Sequence, residues 1–364
     1  MFPTRVILAV GNLFLAALTA FALTGAAQKF LVPCPMFRED LHPFGYPQKR
    51  PHQSLADYSD LAFLSDDLIL VSINERYFAG PVEPASTDKP ASRLLVFDIS
   101  QKALVKTADL SVEKFMGSVR ATHDGKFVAL AGPTLRLCSQ NLECDPPILI
   151  PGNGPLFVSP RGTRVMAGGN AQNEQRLLDA DSLKTLNHFA FGQAAMPGDT
   201  AVLATRGNHQ LYLLRDDAPD RLLNFRGGGL LLNAQFLSDD VFATYENDRT
   251  FVGVDLDGTI RYRISILPQW SLTDIVPAAS GSRFCIHQQA YKVRGPKVNV
   301  GDYPKTTSHL DIYRIFDTHS GDELFHFEWN PRPYISTLIA PAISPSGRRL
   351  AVIHSGYLEI FELH

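Results

Sequence analysis

The sequence has no surplus of either charge, because its 34 lysine and arginine residues nearly balance its 37 aspartate and glutamate residues. A chain with so little overall charge has no basic field for a phosphate backbone, so nucleic acid is not expected as a partner. Charged residues make up 20% of the chain and hydrophobic residues 45%. These proportions are typical of a folded globular protein and exclude an extensively disordered one.

The motifs of several common catalytic sites are also missing. The sequence has no Gly-x-Ser-x-Gly elbow, no P-loop and no His-Glu-x-x-His pair. It has no Cys-x-x-Cys pair and no Cys/His spacing that suits zinc. Its eleven histidines are scattered, and His287, His319 and His326 lie in or beside predicted strands, where a structural imidazole is expected. Motifs therefore give no support for an enzyme.

Cysteine is scarce, but two of the four residues are closely spaced. Cys138 and Cys144 flank five turn-like residues between two short predicted strands, which favours a hairpin disulfide over two free thiols in an oxidising compartment. Such a small loop would contribute less than the ~3 kcal/mol of a 15-residue loop. Cys285 lies in an apolar strand, where a buried thiol is expected, and the pairing of Cys34 stays open.

Residues 1–27 differ from the rest of the chain. One arginine, Arg5, precedes an uncharged apolar stretch that ends in small residues, a pattern typical of a secretory signal peptide. The alternative is an uncleaved membrane anchor, because about 20 apolar residues can span a bilayer. Either interpretation predicts export, to a secreted or periplasmic location, with membrane contact only through an uncleaved N-terminal segment.

Residues 59–364 contain seven copies of one pattern, in which a turn rich in Gly, Asp and Ser precedes a short apolar strand and one or two further strands. No helical segment of any length interrupts the copies. The pattern predicts an all-β fold, a seven-bladed β-propeller of four-stranded antiparallel blades. The first turns are Ser65-Asp66-Asp67, His123-Asp124-Gly125, Pro160-Arg161-Gly162, Pro197-Gly198-Asp199, Ser238-Asp239-Asp240, Ala279-Ser280-Gly281 and Pro345-Ser346-Gly347.

Two phrases carry a resemblance to a known superfamily. SPSGRRLAV (Ser344 to Val352) and FDTHSGDEL (Phe316 to Leu324) resemble the repeats of bacterial WD-repeat and YVTN-type propellers. The resemblance implies the fold and no particular chemistry. Neither Trp270 nor Trp329 is followed by Asp, so the assembly roles of strict WD-repeat proteins do not carry over.

The seventh copy ends after three strands, which would leave an open sheet edge. Residues 28–58 are rich in proline and aromatic residues and predict an extended segment over the surface. We expect this segment to supply the missing outer strand and close the ring, with Lys29–Val32 and their neighbours as the donor.

Two copies carry long insertions between their second and third strands, at residues 74–92 and 288–309. Both insertions are predicted on the same face, flanking the seventh blade, whose corresponding turn is only His354-Ser355-Gly356. This arrangement predicts a groove over blade seven, although loops that pack over the disc edge would explain the insertions equally well.

Polar residues recur at the top of the second strands. Strand ends meet water, so such residues are expected even without a function, but a polar rim around the channel is also a plausible place for a small ligand, a metal or a peptide. Two basic residues of the sixth-copy insertion are added to this set. The candidate binding residues are Asn74, Arg206, Glu246, Gln288, His354, Arg294 and Lys297.

These features favour an exported, non-catalytic binding or scaffold module that takes a protein or peptide on the face with the long loops. The alternative is a hydrolase or lyase-type propeller enzyme with a divalent metal in the central channel. No catalytic residue, metal ligand or cofactor is predicted, and the sequence leaves the oligomeric state and the partner open.

Overall fold

Seven four-stranded antiparallel sheets form the protein in the computed structural model, and each matches one predicted repeat. The structure describes residues 34–46, 59–74, 91–111, 117–152, 154–168, 174–189, 195–206, 210–215, 218–226, 234–247, 249–267, 271–293, 307–329, 341–354 and 356–363. All of them belong to one compact unit, Pro33–His364. The predicted signal peptide or anchor, 1–27, lies outside the described residues.

The first three blades take their strands in chain order, from the centre of the ring outward. Blade 1 comprises β2 (Ser59–Phe63), β3 (Leu68–Asn74), β4 (Ala91–Asp98) and β5 (Ala103–Ser111). Blade 2 comprises β6 (Gly117–Ala121), β7 (Phe127–Ala131), β8 (Thr134–Cys138) and β9 (Ile148–Leu149). Blade 3 comprises β10 (Phe157–Val158), β11 (Arg164–Gly168), β12 (Gln175–Asp179) and β13 (Thr185–Phe189).

The next three blades follow the same order. Blade 4 comprises β14 (Ala195–Pro197), β15 (Ala201–Arg206), β16 (Gln210–Arg215) and β17 (Ala218–Arg226). Blade 5 comprises β18 (Gln235–Phe236), β19 (Val241–Asn247), β20 (Thr250–Asp255) and β21 (Ile260–Ser265). Blade 6 comprises β22 (Ser271–Pro277), β23 (Arg283–Val293), β24 (Thr307–Asp317) and β25 (Glu323–Trp329).

Blade 7 is built from both ends of the described chain. Its inner strands are β26 (Ala342–Ile343), β27 (Arg349–His354) and β28 (Tyr357–Glu362), and its outer strand is β1 (Phe37–Asp40). The prediction that an N-terminal strand closes the ring is therefore confirmed.

The closing strand lies further along the chain than we predicted. Lys29–Val32, the expected donor, lie outside the described residues, whereas Phe37–Asp40 pair with β28 in the register Phe37↔Ile360 to Asp40↔Tyr357. Successive side chains of a strand point to opposite faces, and this explains why Phe37–Asp40 form the closing strand. Phe37 packs in the apolar layer against blade 1, while Arg38 pairs with Glu359 of β28.

The core consists of seven apolar layers, one between each pair of neighbouring blades. Alternate residues of a strand serve different layers. In β27, Ala351 and Ile353 pack in the layer shared with blade 1, and Leu350 and Val352 pack in the layer shared with blade 6. Burial on both faces explains why the central strands are nearly continuous apolar runs.

The predicted first turns connect the first and second strands at one end of the blades, which we call the turn face. Several of these turns contact the turn of the next blade. Asp66 accepts a hydrogen bond from the backbone N–H of Ser346 at 3.0 Å, and Asp199 accepts one from the backbone N–H of Arg161 at 3.1 Å. Gly347 completes the seventh turn with φ of 76°, a conformation that glycine adopts without strain.

The opposite end, which we call the loop face, carries the connections between second and third strands. In blade 6 the prediction of a loop over 288–309 was too long, because β23 continues to Val293 and β24 already begins at Thr307. The remaining connection, 294–306, and the blade 1 connection, 75–90, lie outside the described residues. No helix among the described residues has the length and apolar character needed to cross a membrane.

Candidate functional site

The predicted rim residues occupy the second strands as expected, but their environments differ. Asn74 and Arg206 are the last residues of β3 and β15, and their side chains are not described. Glu246 lies near the end of β19 and is exposed. Its carboxylate accepts two hydrogen bonds from the Arg263 guanidinium of β21, at 2.8 and 2.9 Å. Arg294 and Lys297 lie outside the described residues.

Gln288 and His354 are buried, so neither of them forms an open rim. Gln288 is 0% exposed in the middle of β23, and neither its amide oxygen nor its amide nitrogen has a hydrogen-bond partner within the described ranges. His354, the last residue of β27, lies in the interface between blades 6 and 7. Whether any of the seven candidate residues binds a ligand stays a prediction.

His287 is the centre of a polar group in the interface between blades 6 and 7. Its Nδ1 is 3.2 Å from Asp274 Oδ2 of β22, and its Nε2 is 2.9 Å from Asp311 Oδ1 of β24. The imidazole also stacks on the Tyr313 ring, with centroids 4.7 Å apart. Burial alone would lower the pKa of His287, but the hydrogen bonds and charges of the two carboxylates outweigh it and raise the pKa.

A second hydrogen-bonded series continues outward from Tyr313. The Tyr313 hydroxyl is 3.3 Å from His354 Nε2, and His354 Nδ1 is 3.4 Å from Glu359 Oε2. Glu359 also pairs with Arg38 of the closing strand at 3.3 Å, and the Arg38 guanidinium lies 4.3 Å from the centroid of the Tyr357 ring. The series therefore connects blade 6 to the strand that closes the ring.

The tyrosine, histidine and glutamate of this series have the order of a catalytic triad but not its chemistry. Tyr313 is buried, and burial together with nearby carboxylates raises the pKa of its hydroxyl well above the usual value. The hydroxyl therefore stays neutral, and Tyr313 is not among the residues that line the central cavity. The arrangement holds two blades together and gives no support for nucleophilic catalysis.

The central channel contains a cavity of about 660 Å³. Its wall includes residues from the innermost strands of all seven blades and from several turns of the turn face. Most of the wall is apolar, and Phe63, Phe157 and Ile343 are examples. The sequence indicated the channel but placed the polar rim at the second strands, whereas the cavity wall belongs to the first strands and the turns.

Charged groups of the cavity wall are mostly paired. Arg120 bonds to Asp60, and Arg161 pairs with Asp239. Asp274 of the His287 group also reaches the wall. Within the described ranges, no group of three or more His, Cys, Asp and Glu side chains is arranged to hold a metal ion.

Only part of this site could be predicted from the sequence. We predicted a structural role for His287, which is buried between two carboxylates, but its partners Asp274 and Asp311 were not singled out. The signal that could have identified them is a polar run, His287-Gln288-Gln289, inside an otherwise apolar strand. Polar residues on a central strand of a propeller face a neighbouring blade, so they need partners there.

The cysteine predictions can be compared directly with the structure. Cys138 and Cys144 form a disulfide with Cα atoms 4.0 Å apart, as predicted. Cys285 is a buried free thiol, as expected, and Cys34 is free and exposed.

Comparisons with known proteins support the fold alone. No protein-family profile and no curated protein matches the sequence. Among solved structures, Kluyveromyces marxianus Hsv2 is similar at 12% identity and a TM-score of 0.53, over 84% of this chain and 92% of that chain. Kluyveromyces lactis Hsv2 is similar at 10% identity and a TM-score of 0.51, over 82% and 89%. The likeness to this seven-bladed propeller agrees with the fold described above.

Proposed function

We propose that the chain is an exported β-propeller of the WD-repeat-like or YVTN type that acts as a non-catalytic binding or scaffold module. Its ligand is a protein or peptide, bound on the loop face over blade 7. The observation that carries the proposal is the position of the two long connections, 75–90 and 294–306, on the blades that flank blade 7. The corresponding connection of blade 7, from His354 to Tyr357, is short.

The surroundings of that short connection support the proposal. Arg38 is more than half exposed beside the Tyr357 ring, and His42 packs edge-on against the same ring at 6.0 Å between centroids. Aromatic and guanidinium groups are enriched where proteins bind partners. The buried hydrogen bonds beneath them, from Glu359 to His354 and Tyr313, keep this surface rigid, which lowers the entropic cost of binding.

A peptide library displayed on phage and selected against the intact protein tests the proposal. Selected peptides should bind at least about tenfold more weakly, a loss of about 1.4 kcal/mol, when 294–306 is replaced by a two-residue Asn-Gly turn. The matched control shortens the blade 3 connection, 169–174, on the same face but away from blade 7. Equal affinity of the selected peptides for both variants and the parent would refute the assignment of this surface.

Export has its own test. The protein is expressed in a bacterial host, and the cells are fractionated. Mass spectrometry should show cleavage near residue 27, or the uncleaved protein should be found in the membrane fraction. The Cys138–Cys144 disulfide is consistent with an oxidising compartment. An intact N-terminus on protein from the cytoplasmic fraction would contradict export.

The enzyme alternative makes a different prediction. A propeller hydrolase or lyase with a metal in the channel would contain a divalent ion in stoichiometric amount, and a chelator would lower its stability by several kcal/mol. Elemental analysis of the purified protein, with denaturation in the presence and absence of a chelator, distinguishes the two functions.

A further inference from the structure

The central cavity has the size of a small-ligand site and lies apart from the proposed peptide surface on the loop face. Its volume of about 660 Å³ is within the range of roughly 300–1,000 Å³ that is usual for such sites. Its wall combines apolar side chains with polar ones. In sites of this composition the apolar wall supplies affinity and a few polar groups orient the ligand, so the polar groups indicate the chemistry of the ligand.

Arg120 is a polar residue of the wall that is both held in place and accessible. It belongs to β6, the innermost strand of blade 2, and its side chain is 35% exposed. Its Nη1 donates one hydrogen bond to Asp60 of blade 1 and another to the Val119 carbonyl oxygen at 2.7 Å. Two contacts through the same nitrogen fix the position of the guanidinium in the wall.

Asp60 is a firm anchor for this arginine. Besides the Arg120 guanidinium, its Oδ2 accepts hydrogen bonds from the Ser118 hydroxyl at 2.8 Å and from the Val119 N–H at 3.1 Å. Its Oδ1 accepts the backbone N–H of Leu61 at 3.0 Å. Three donors other than Arg120 therefore hold the carboxylate, and Arg120 contributes to it through Nη1 alone.

The opposite edge of the Arg120 guanidinium, formed by Nε and Nη2, remains available. Neither nitrogen donates a hydrogen bond to any residue that the structure describes, and Arg120 lines the cavity. The two N–H groups of such an edge are parallel, so they match two acceptor oxygens that stand side by side. A carboxylate has this arrangement, whereas a carboxamide offers one oxygen and would turn its own N–H groups toward a donor.

Arg161, a second arginine of the wall, has a different setting. It stands in the first turn of blade 3 at the turn face, where its side chain is 65% exposed. Its Nη2 pairs with Asp239, so the edge that is available in Arg120 is already engaged in Arg161. Water also competes more strongly for an exposed guanidinium than for one on an inner strand.

Apolar side chains are available for the remainder of a ligand. Blade 3, which follows the blade of Arg120, contributes Phe157 and Val158 of β10, and both are partly exposed. Blade 6 contributes Ile275 and Val276 of β22, which are also partly exposed. Covering this surface releases water from it, which favours a ligand with an apolar body.

We propose that the central cavity binds an apolar carboxylic acid in its ionised form, with Nε and Nη2 of Arg120 donating to its two oxygens. Paired hydrogen bonds between a guanidinium and a carboxylate add geometric specificity to their strength. The hydrocarbon part of the ligand contacts the apolar wall. Asp60 orients the guanidinium and is a positioning residue that does not touch the ligand.

Isothermal titration calorimetry with 4-phenylbutyrate tests this inference on the full chain, and the corresponding amide, alcohol and amine serve as probes of the same length. We expect saturable binding of the acid, with at least about tenfold weaker binding of the other three. Arg120→Lys should also weaken binding of the acid at least about tenfold. Lysine keeps a positive charge beside Asp60 but lacks two parallel N–H groups, so this variant tests the geometry of the guanidinium.

Arg161→Lys is the matched control, because it makes the same substitution in the same wall, and it should bind the acid like the parent. Denaturation of both variants verifies that they are folded. The proposal is overturned if folded Arg120→Lys binds the acid like the parent, or if Arg161→Lys loses as much affinity. It is also overturned if the amide, alcohol or amine binds the parent as well as the acid does, or if the acid does not bind at millimolar concentration. Because the peptide assay uses the loop face, the two proposals can fail independently.

Discussion

Removing the side chain of Phe37 should open the ring at its closure. Phe37 is the first residue of the closing strand, is 3% exposed and packs in the apolar layer between blades 7 and 1. Its ring meets Phe97 of blade 1 edge-on, with centroids 6.1 Å apart. Phe37→Ala removes these contacts and leaves a cavity, a change that typically costs about 3–5 kcal/mol of unfolding free energy.

Equilibrium denaturation measures the size of the loss, and hydrogen exchange locates it. The backbone amides of β28 that pair with β1 should lose protection in Phe37→Ala, because a weakened closing strand detaches more often. Phe37→Leu, which keeps most of the apolar volume, should lose less than about 1.5 kcal/mol.

Leu324→Ala is the matched control, because Leu324 also lies on an outermost strand, β25, but is 41% exposed. We expect it to cost less than about 1 kcal/mol. A cost below about 1 kcal/mol for Phe37→Ala, with unchanged protection of β28, would show that β1 does not stabilise the ring.

Three further changes test other contacts. Gly356→Ala should destabilise the protein more than Gly258→Ala. Both positions have φ above 80°, but only a Cβ at Gly356 would overlap the His42 ring. Equal losses of stability in denaturation would contradict this packing. The raised pKa of His287 contributes stability that is complete below its unfolded value of about 6.5 and is lost as the pH rises through the higher folded value. Denaturation between about pH 6 and 9 should therefore show a loss of stability that His287→Asn reduces, and an unchanged slope would argue against the charged imidazole. Replacing the Cys138–Cys144 pair by alanines should cost about 2 kcal/mol in denaturation, and no loss would mean that the hairpin needs no crosslink.

The repeats could be predicted because their turns depend on local chemistry. The residues of the turn at Pro345-Ser346-Gly347 determine its backbone conformation, and a glycine with positive φ ends the corresponding turns of blades 2, 3 and 6 as well, at Gly125, Gly162 and Gly281. The disulfide was predictable for the same reason, since its two cysteines belong to one hairpin. Features that depend on neighbours in sequence were therefore visible in the sequence.

Features that depend on contacts between blades could not be predicted from the sequence. We predicted that Gln288 begins the long insertion of the sixth copy, yet it is buried in a strand of 11 residues. The closing strand was placed too early because the choice of Phe37 depends on the apolar layer supplied by blade 1. Asp274 and Asp311 form one polar group only because both contact His287, which lies on the strand between them. A single sequence does not pair residues across such distances.

The pairing of β1 with β28 also determines when the fold can be completed. During synthesis β1 is among the first of the described strands to be made and β28 is the last, so β1 must remain unpaired while every blade forms. Contacts between residues so far apart in sequence form slowly, because the entropy of closing the intervening chain must first be overcome. Until then two edges of an incomplete ring are open, and this interval is when the nascent protein is most prone to associate with other chains.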